Sequence, residues 1–226
     1  MDLGRRLIMH ALRRGAFEFN ESGFELKSGL GGSPYFFNIK KLNSGGDLIT
    51  IADLYAEALG PDLIHDCDGV IGPPMAGTIL AGPVVMGIWN RYSPSEEFRS
   101  YSYRPQVKKH GEKGKIIGGS IDGKKLILVD DAFTAGTSFT EALEVVQDHG
   151  GIPVACVVAF DRQQLGVSGQ SKSKEFSERT GLTFLSIANM HDLVWGLSQK
   201  KLKLENRMGI LAKVEEYRGV NCYLGF

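Results

Sequence analysis

The chain has 226 residues, 42% of them hydrophobic and 23% charged, a balance that can bury a sizeable core and excludes a disordered or fibrous chain. Lysine plus arginine equals aspartate plus glutamate at 26 each, so no overall charge draws the protein to nucleic acid or membrane. Cys67, Cys156 and Cys222 lack metal-ligand or CxxC spacing, which predicts inert thiols in a reducing cytoplasm.

The opening MDLGRRLIMHALRRGAF mixes arginines with apolar residues, but charge interrupts the apolar run and leaves it far too short to span a bilayer. Leu3, Leu7, Ile8, Ala11 and Leu12 instead share one face, predicting an amphipathic helix. FELKSGLGGSPYFFNIKKL reads as two short extended pieces around a glycine-rich turn. DLITIADLYAEALG has helical spacing and stops at Gly60. In DGVIGPPMAGTILAGPVVMGIWN a short apolar strand runs through a Gly-Pro-Pro turn into a helix that holds Pro83. FRSYSYR alternates as a strand does, and PQVKKHGEKGK is a polar loop. KIIGGSI and KKLILVDD are strands linked by the turn Asp122-Gly123. A helix over Thr140 to His149 ends at Gly150-Gly151, and strands follow in IPVACVVAF and TFLSIAN, with helical segments closing the chain.

Strands alternating with helices, several of them unbroken apolar runs, predict an α/β fold with a mainly parallel central sheet flanked by helices. Residues 1–226 are read as one domain, with an N-terminal helix and hood over about 1–45, a core over 46–200 and a C-terminal segment over 201–226. Ligands of such sheets bind beyond the carboxyl ends of the strands, which directs attention to GPPMAGT, DDAFTAGTS and DRQQ.

The middle stretch is the most informative. Asp130 and Asp131 repel each other and call for a cation, ordered water or polyol hydroxyls nearby. Thr134, Thr137, Ser138 and Thr140 crowd hydroxyls behind them, and Gly136 lets a backbone approach closely. At a helix N-terminus that arrangement favours a phosphate. The plain alternative is an N-cap by Thr137 or Ser138. A phospho-acceptor pocket also uses paired acids, but on separate strand ends and without such a cradle. GGSIDGKK almost spells a P-loop, yet Lys125 stands where a hydroxyl is required and the segment precedes a strand, so it reads as a tight turn. Arg104, Lys108, Lys109 and His110 form a basic loop, with mobility from Gly111 and Gly114; by itself such a run is usually a solvated face, and the functional reading is a lid that closes positive charge over an anionic leaving group. Arg162, two residues beyond a buried strand, can grip a planar carboxylate or pair with Asp161. By themselves Lys27 reads as surface and Phe36-Phe37 as core.

With these residues assembled, LILVDDAFTAGTS resembles the phosphoribosyl-diphosphate signature of type I phosphoribosyltransferases. Together with FELKSG, SPYFFN, KKHGEKG and FDRQQ it makes the chain similar to the orotate phosphoribosyltransferases over about residues 1 to 200. The resemblance implies a type I phosphoribosyltransferase fold with a small N-terminal hood and a flexible catalytic loop. It also implies Mg²⁺-dependent transfer of ribose 5-phosphate from phosphoribosyl diphosphate to N1 of orotate, in pyrimidine synthesis. Carried over, Asp130 and Asp131 hold the ribose hydroxyls, with Mg²⁺ bound mainly through the diphosphate and water near them. Ala132, Phe133, Thr134, Ala135, Gly136, Thr137 and Ser138 cradle the 5-phosphate, with Thr134 also near orotate. Met75 and Ala76 face the diphosphate. Lys27, Phe36 and Phe37 surround base and ribose, and Arg162 takes the orotate carboxylate. Arg104, Lys108 and His110 are the catalytic-loop residues, joined by Lys109 on the diphosphate. In the family that loop reaches a neighbouring subunit, which implies a homodimer. Pro105 and Ala76 stand where many relatives carry lysine, which predicts a weaker grip on the diphosphate. Two rival readings are a phosphoribosyltransferase for uracil or a purine, and a non-catalytic regulator that binds RNA or DNA. The second needs a broad basic surface that this composition lacks.

Overall fold

The computed structural model describes residues 2–25, 32–105 and 115–225. Its centre is a six-stranded sheet in the order β5-β4-β3-β6-β7-β8. The strands are β3 (Gly69–Gly72), β4 (Arg99–Tyr103), β5 (Ile116–Ile117), β6 (Lys125–Phe133), β7 (Ile152–Asp161) and β8 (Thr183–Asn189). All neighbouring pairs are parallel except β4–β5. The helices are α1 (Leu3–Arg13), α2 (Gly45–His65), α3 (Ala76–Tyr92), α4 (Thr137–Asp148), α5 (Lys172–Thr180), α6 (Met190–Ser198) and α7 (Arg207–Asn221). No helix among the described residues is long and apolar enough to cross a membrane.

The apolar runs form buried strands because both faces of the sheet are covered. Ile127, Val129, Ala155, Val157 and Ala159 point into a core shared with α1, α2, α3, α6 and α7. Leu126, Leu128, Cys156 and Val158 point the other way, against α4 and α5. Alternation is thus present, but with both sides apolar it is invisible as a polarity pattern.

A separate antiparallel hairpin, β1 (Phe17–Phe24) with β2 (Ser33–Phe37), caps the carboxyl end of β7. Phe17, Tyr35 and Phe37 anchor it, with ring centroids 5.3, 6.0 and 5.7 Å from that of Phe160. The first extended piece therefore starts at Phe17, earlier than the sequence reading placed it.

Other boundaries moved for identifiable reasons. Helix α2 is broken at Gly60, whose φ of +72° no helix interior accepts, but Pro61 opens a further helical turn up to His65. The strands on either side of Asp122-Gly123 are not a hairpin, because β5 pairs with β4 and lies three places from β6. Both sides of β6 are taken by parallel partners instead. Helix α5 was not read from the sequence, since it buries only Ser173 and Phe176 and shows no apolar stripe.

Candidate active site

The chain crosses from β3 through α3 to β4 on one side, then returns to place β6 on the other. That reversal opens a crevice beyond the strand ends, and β6 outlasts its neighbour there. Its last pairing with β3 is Ile71 to Leu128, whereas pairing with β7 continues to Phe133 and Asp161. From Asp130 onward one side of β6 is free of strand. The buried Tyr55 hydroxyl of α2 donates to the Asp130 carbonyl at 2.8 Å, satisfying an acceptor that β3 no longer reaches.

Asp130 is 7% exposed. Its Oδ1 accepts the Asp131 N–H at 3.0 Å, and the Gly77 N–H at the start of α3 also binds this carboxylate. The approach is close because Gly72 and Gly77 lie backbone to backbone, where a Cβ on either would strike the other's main chain. Asp131 Oδ1 accepts the Ala132 N–H at 2.8 Å. Burial first, and then the charge of Asp131, push the Asp130 pKa up to about 8. Burial also raises Asp131, while backbone N–H groups and the Lys40 charge oppose it. Neither acid forms a salt bridge among the described residues. Burial and mutual repulsion thus keep a proton on Asp130 at neutral pH, and ionising both acids calls for a partner that balances their charge.

The loop after the acids is built as an anion cradle. Gly136, at φ +78°, occupies the cap position of α4 and makes no side-chain cap. No acid lies in the first turn. The hydroxyls of Thr134, Thr137 and Ser138 make no hydrogen bond among the described residues, so the capping alternative is set aside. Thr140 is different, since its hydroxyl donates to the Gly136 carbonyl at 3.0 Å. The helix begins at Thr137, three residues before the sequence reading, because the loop turns directly into it. Free N–H groups and the helix dipole then face the cavity.

A cavity of about 340 Å³ is lined by Thr134 through Phe139 together with Asp130, Ala132, Phe133, Glu25, Phe36 and Arg162. A second, of about 300 Å³, is lined by Pro74, Met75, Ala76, Asn38, Lys40, Phe36 and Phe37 and also touches Asp130, Asp131 and Ser138. The shared residues make the two spaces adjoin across the acids.

Arg162 is buried beside the first cavity. Its guanidinium lies 4.6 Å from the Tyr35 ring centroid, and Nη2 donates to Ser33 Oγ at 2.6 Å. Nε has no partner. The alternative pairing with Asp161 does not occur: that carboxylate accepts the Ser173 hydroxyl at 2.6 Å and the Gln163 N–H at 2.8 Å. Phe36 is 42% exposed and lines both cavities, whereas Phe37, facing the other way along β2, is mostly buried against Phe17 and Phe160. The Phe133 ring likewise packs among Phe139, Phe176 and Phe184, leaving mainly its backbone to the site. Arg104 starts the basic loop, its N–H bonded to the Lys115 carbonyl. Lys27, Lys108, Lys109 and His110 lie outside the described residues.

Lys40, Tyr55, Ser33 and Tyr35 were not read from the sequence as site residues. Only Lys40, in FFNIKK, had a local signal, a basic pair after the aromatic strand. The cysteines are free, and burial pushes Cys67 up to about 11 and Cys222 up to about 12, in keeping with inert thiols.

A sequence profile of the phosphoribosyl transferase domain matches residues 51–190. Orotate phosphoribosyltransferase of Photobacterium profundum is 35% identical over 215 residues, 95% of each chain. That of Stenotrophomonas maltophilia is 35% identical over 195 residues, covering 85% of this chain and 86% of the relative. Among solved structures, orotate phosphoribosyltransferase of Francisella tularensis superposes with a TM-score of 0.71 at 26% identity, covering 95% of this chain and 98% of the other. The UMP synthase of Leishmania donovani shares the fold at a TM-score of 0.72 and 22% identity, over 95% of this chain and 42% of the longer one.

Proposed function

Because the chain belongs to the phosphoribosyltransferase family, and within it to the orotate phosphoribosyltransferases, we propose that it transfers ribose 5-phosphate from phosphoribosyl diphosphate to N1 of orotate, giving orotidine 5′-monophosphate and diphosphate. The observation that carries this reading is the buried Arg162 guanidinium, which forms no salt bridge among the described residues, beside the cavity that also holds Asp130 and the Thr134–Ser138 loop.

In this reading the 5-phosphate rests on the backbone and hydroxyls of Thr134 to Ser138, while Asp130 and Asp131 accept hydrogen bonds from the ribose hydroxyls. The diphosphate lies along Met75 and Ala76, with Lys40 at that end. Orotate packs on Phe36, and its carboxylate takes the fork of Arg162. The C1–oxygen pair departs with the diphosphate as N1 bonds to C1 and its proton is lost. Positive charge then grows on the ribose beside the two acids, and negative charge grows on the leaving group. Preorganised groups aimed at both charges supply the acceleration. Lys108, with Arg104, Lys109 and His110, would neutralise the departing diphosphate, and Lys27 would assist at the ribose.

The described residues contain no protein-only cluster of three metal ligands. Two adjacent acids that resist joint ionisation without a cation do fit a hydrated Mg²⁺ that would be bound largely through the diphosphate, with Asp130 and Asp131 nearby. Such an ion would supply charge neutralisation on the leaving group.

A homodimer follows the same reading, with the basic loop serving the neighbouring site. Ile49 on α2 and Met75, Ile79, Met86 and Trp89 around one side of α3 are exposed by 40% or more. They flank a groove of about 670 Å³ that carries none of the chemistry, since its Arg6 and Arg91 are spent on Asp53 and Glu57. A covered apolar face there would suit a symmetric contact. We place the reaction in the cytoplasm, where the three free thiols would persist.

Mixing the protein with orotate, phosphoribosyl diphosphate and Mg²⁺ and following orotate absorbance tests the reaction, and an unchanged trace overturns it. Arg162→Ala separates orotate from other bases. It is expected to raise the orotate KM about 10- to 100-fold, the worth of a charged bidentate contact. An effect on uracil turnover as large as that on orotate would contradict the carboxylate role.

A further inference from the structure

The carboxyl-terminal segment touches the residues around Arg162 on two sides. Strand β7 ends at Asp161, and the backbone then turns through Gln163, a non-glycine residue at φ +49°. Such a conformation is held by its surroundings, not by preference. The last described residues do the holding. The Tyr223 N–H donates to the Gln163 carbonyl at 2.7 Å, the Leu165 N–H donates to the Asn221 carbonyl at 2.9 Å, and Gln164 bridges Cys222 in antiparallel fashion. On the other side, Gln164 Nε2 donates to the Tyr217 hydroxyl at 3.3 Å. The Tyr217 ring meets Tyr35 edge-on at 6.1 Å, and Tyr35 is the ring on which the Arg162 guanidinium lies. Gln164, Tyr35, Cys222 and Tyr217 are all buried.

An arginine that must receive a carboxylate cannot be oriented by a carboxylate of its own. Arg162 is oriented instead by a hydroxyl, a ring and the main-chain turn that follows it. Two of those three supports, the ring and the turn, rest on α7 and the residues just after it. We propose that the segment Tyr217 to Tyr223 is a positioning element for the acceptor half of the site, fixing Arg162 and thereby setting orotate affinity independently of the diphosphate donor. This rests on the reading of Arg162 as the acceptor-carboxylate residue.

Tyr223→Pro removes the N–H that binds Gln163, and Cys222 already has the extended conformation (φ −122°, ψ 150°) that a following proline demands. Tyr223→Ala keeps that N–H and serves as the conservative control. Tyr217→Phe removes only the hydroxyl beside Gln164, and Tyr217→Ala also removes the ring beside Tyr35. Steady-state kinetics in both substrates should show the orotate KM raised about tenfold by Tyr223→Pro and by Tyr217→Ala. Tyr217→Phe should raise it a few-fold, and Tyr223→Ala should leave it near wild type. The donor KM, and kcat at saturating orotate, should stay within about twofold. Adding Tyr223→Pro to Arg162→Ala should raise the orotate KM no further, because the brace acts only through the arginine.

Equal rises in both KM values, or additive effects in the double variant, would overturn the proposal in favour of general destabilisation. An unchanged orotate KM in Tyr223→Pro beside a raised one in Arg162→Ala would overturn the brace alone. An unchanged orotate KM in Arg162→Ala would remove the premise itself. If the proline variant does not fold, Tyr217→Phe decides: an orotate KM at the wild-type value overturns the proposal.

Discussion

The acid pair is where single residues set the chemistry. Asp130 in the folded chain holds its proton up to about pH 8, whereas an unfolded chain releases it near 3.8. A raised pKa means that the native state binds more protons through that window. The stability it contributes is therefore full at the acid end and is lost as pH rises through about 8. The unfolding free energy of the ligand-free protein should fall between about pH 4 and 8, by at most about 1.4 kcal/mol per pH unit from one proton, and the melting temperature should fall with it. Asp130→Asn should flatten that slope, and calorimetry across the range checks it. Donor binding should run the opposite way, strengthening as the pair ionises, because ribose hydroxyls and a cation prefer the charged form. Gly136 is a second decisive position. A Cβ there would stand 2.9 Å from the Phe133 ring and 3.2 Å from that of Phe176, on a backbone at φ +78°. Gly136→Ala is expected to cost about 1–2 kcal/mol of stability and to weaken donor binding about tenfold by moving the cradle. Thermal melts and the donor KM report the two effects separately.

At the scale of elements, the helices carrying no chemistry hold those that do. Helix α2 brings Tyr55 under the acids, and its start is tied down by a capping box between Ser44 and Asp47. Arg14 beyond the end of α1 binds both Asp47 oxygens, and the neighbouring His10 also contacts them. Hydrogen bonds from Arg14 hold the Asp47 carboxyl well below the usual range. Ser44→Ala should lower unfolding free energy by about 1 kcal/mol in denaturant titration, with little change in kcat, since the box lies about three helical turns from Tyr55. Much of this level was legible: the N-terminal amphipathic helix, the strand-turn-helix at Gly72 to Ala76, and the buried strands β6 and β7. The hairpin start at Phe17 and helix α5 were not. Both are stabilised by what they pack on, Phe160 in one case and Phe133 and Phe184 in the other, and neither has a strong period of its own.

For the whole molecule, the open question of assembly has a physical handle. Exposed apolar residues run along α3 beside Ile49 of α2, and the row begins at Met75, which lines the second cavity, of about 300 Å³. A partner seated there would lie next to the site it completes. If the proposed homodimer forms through this face and shares its sites, Met86→Glu should shift the protein from dimer to monomer in sedimentation velocity and reduce turnover at least tenfold. A monomeric wild type of full activity would contradict this assembly.

The sequence by itself carried the mark of the phosphoribosyltransferase family, because LILVDDAFTAGTS encodes strand, acids, turn and helix start within one contiguous stretch. It also pointed to Arg162, which follows an apolar run whose end must lie at the carboxyl edge of the sheet. Only the tertiary structure decided how that arginine is held. Ser33 stands 129 positions from it, and the Tyr55 hydroxyl reaches a carbonyl 75 positions away. Nor could the sequence assign a part to residues 201–226, of which Tyr217, Asn221, Cys222 and Tyr223 come to rest against Gln163, Gln164 and Leu165. Motifs are legible where neighbouring residues share one local geometry. Supports are not, because they arise from whichever distant segments the closed core brings into contact.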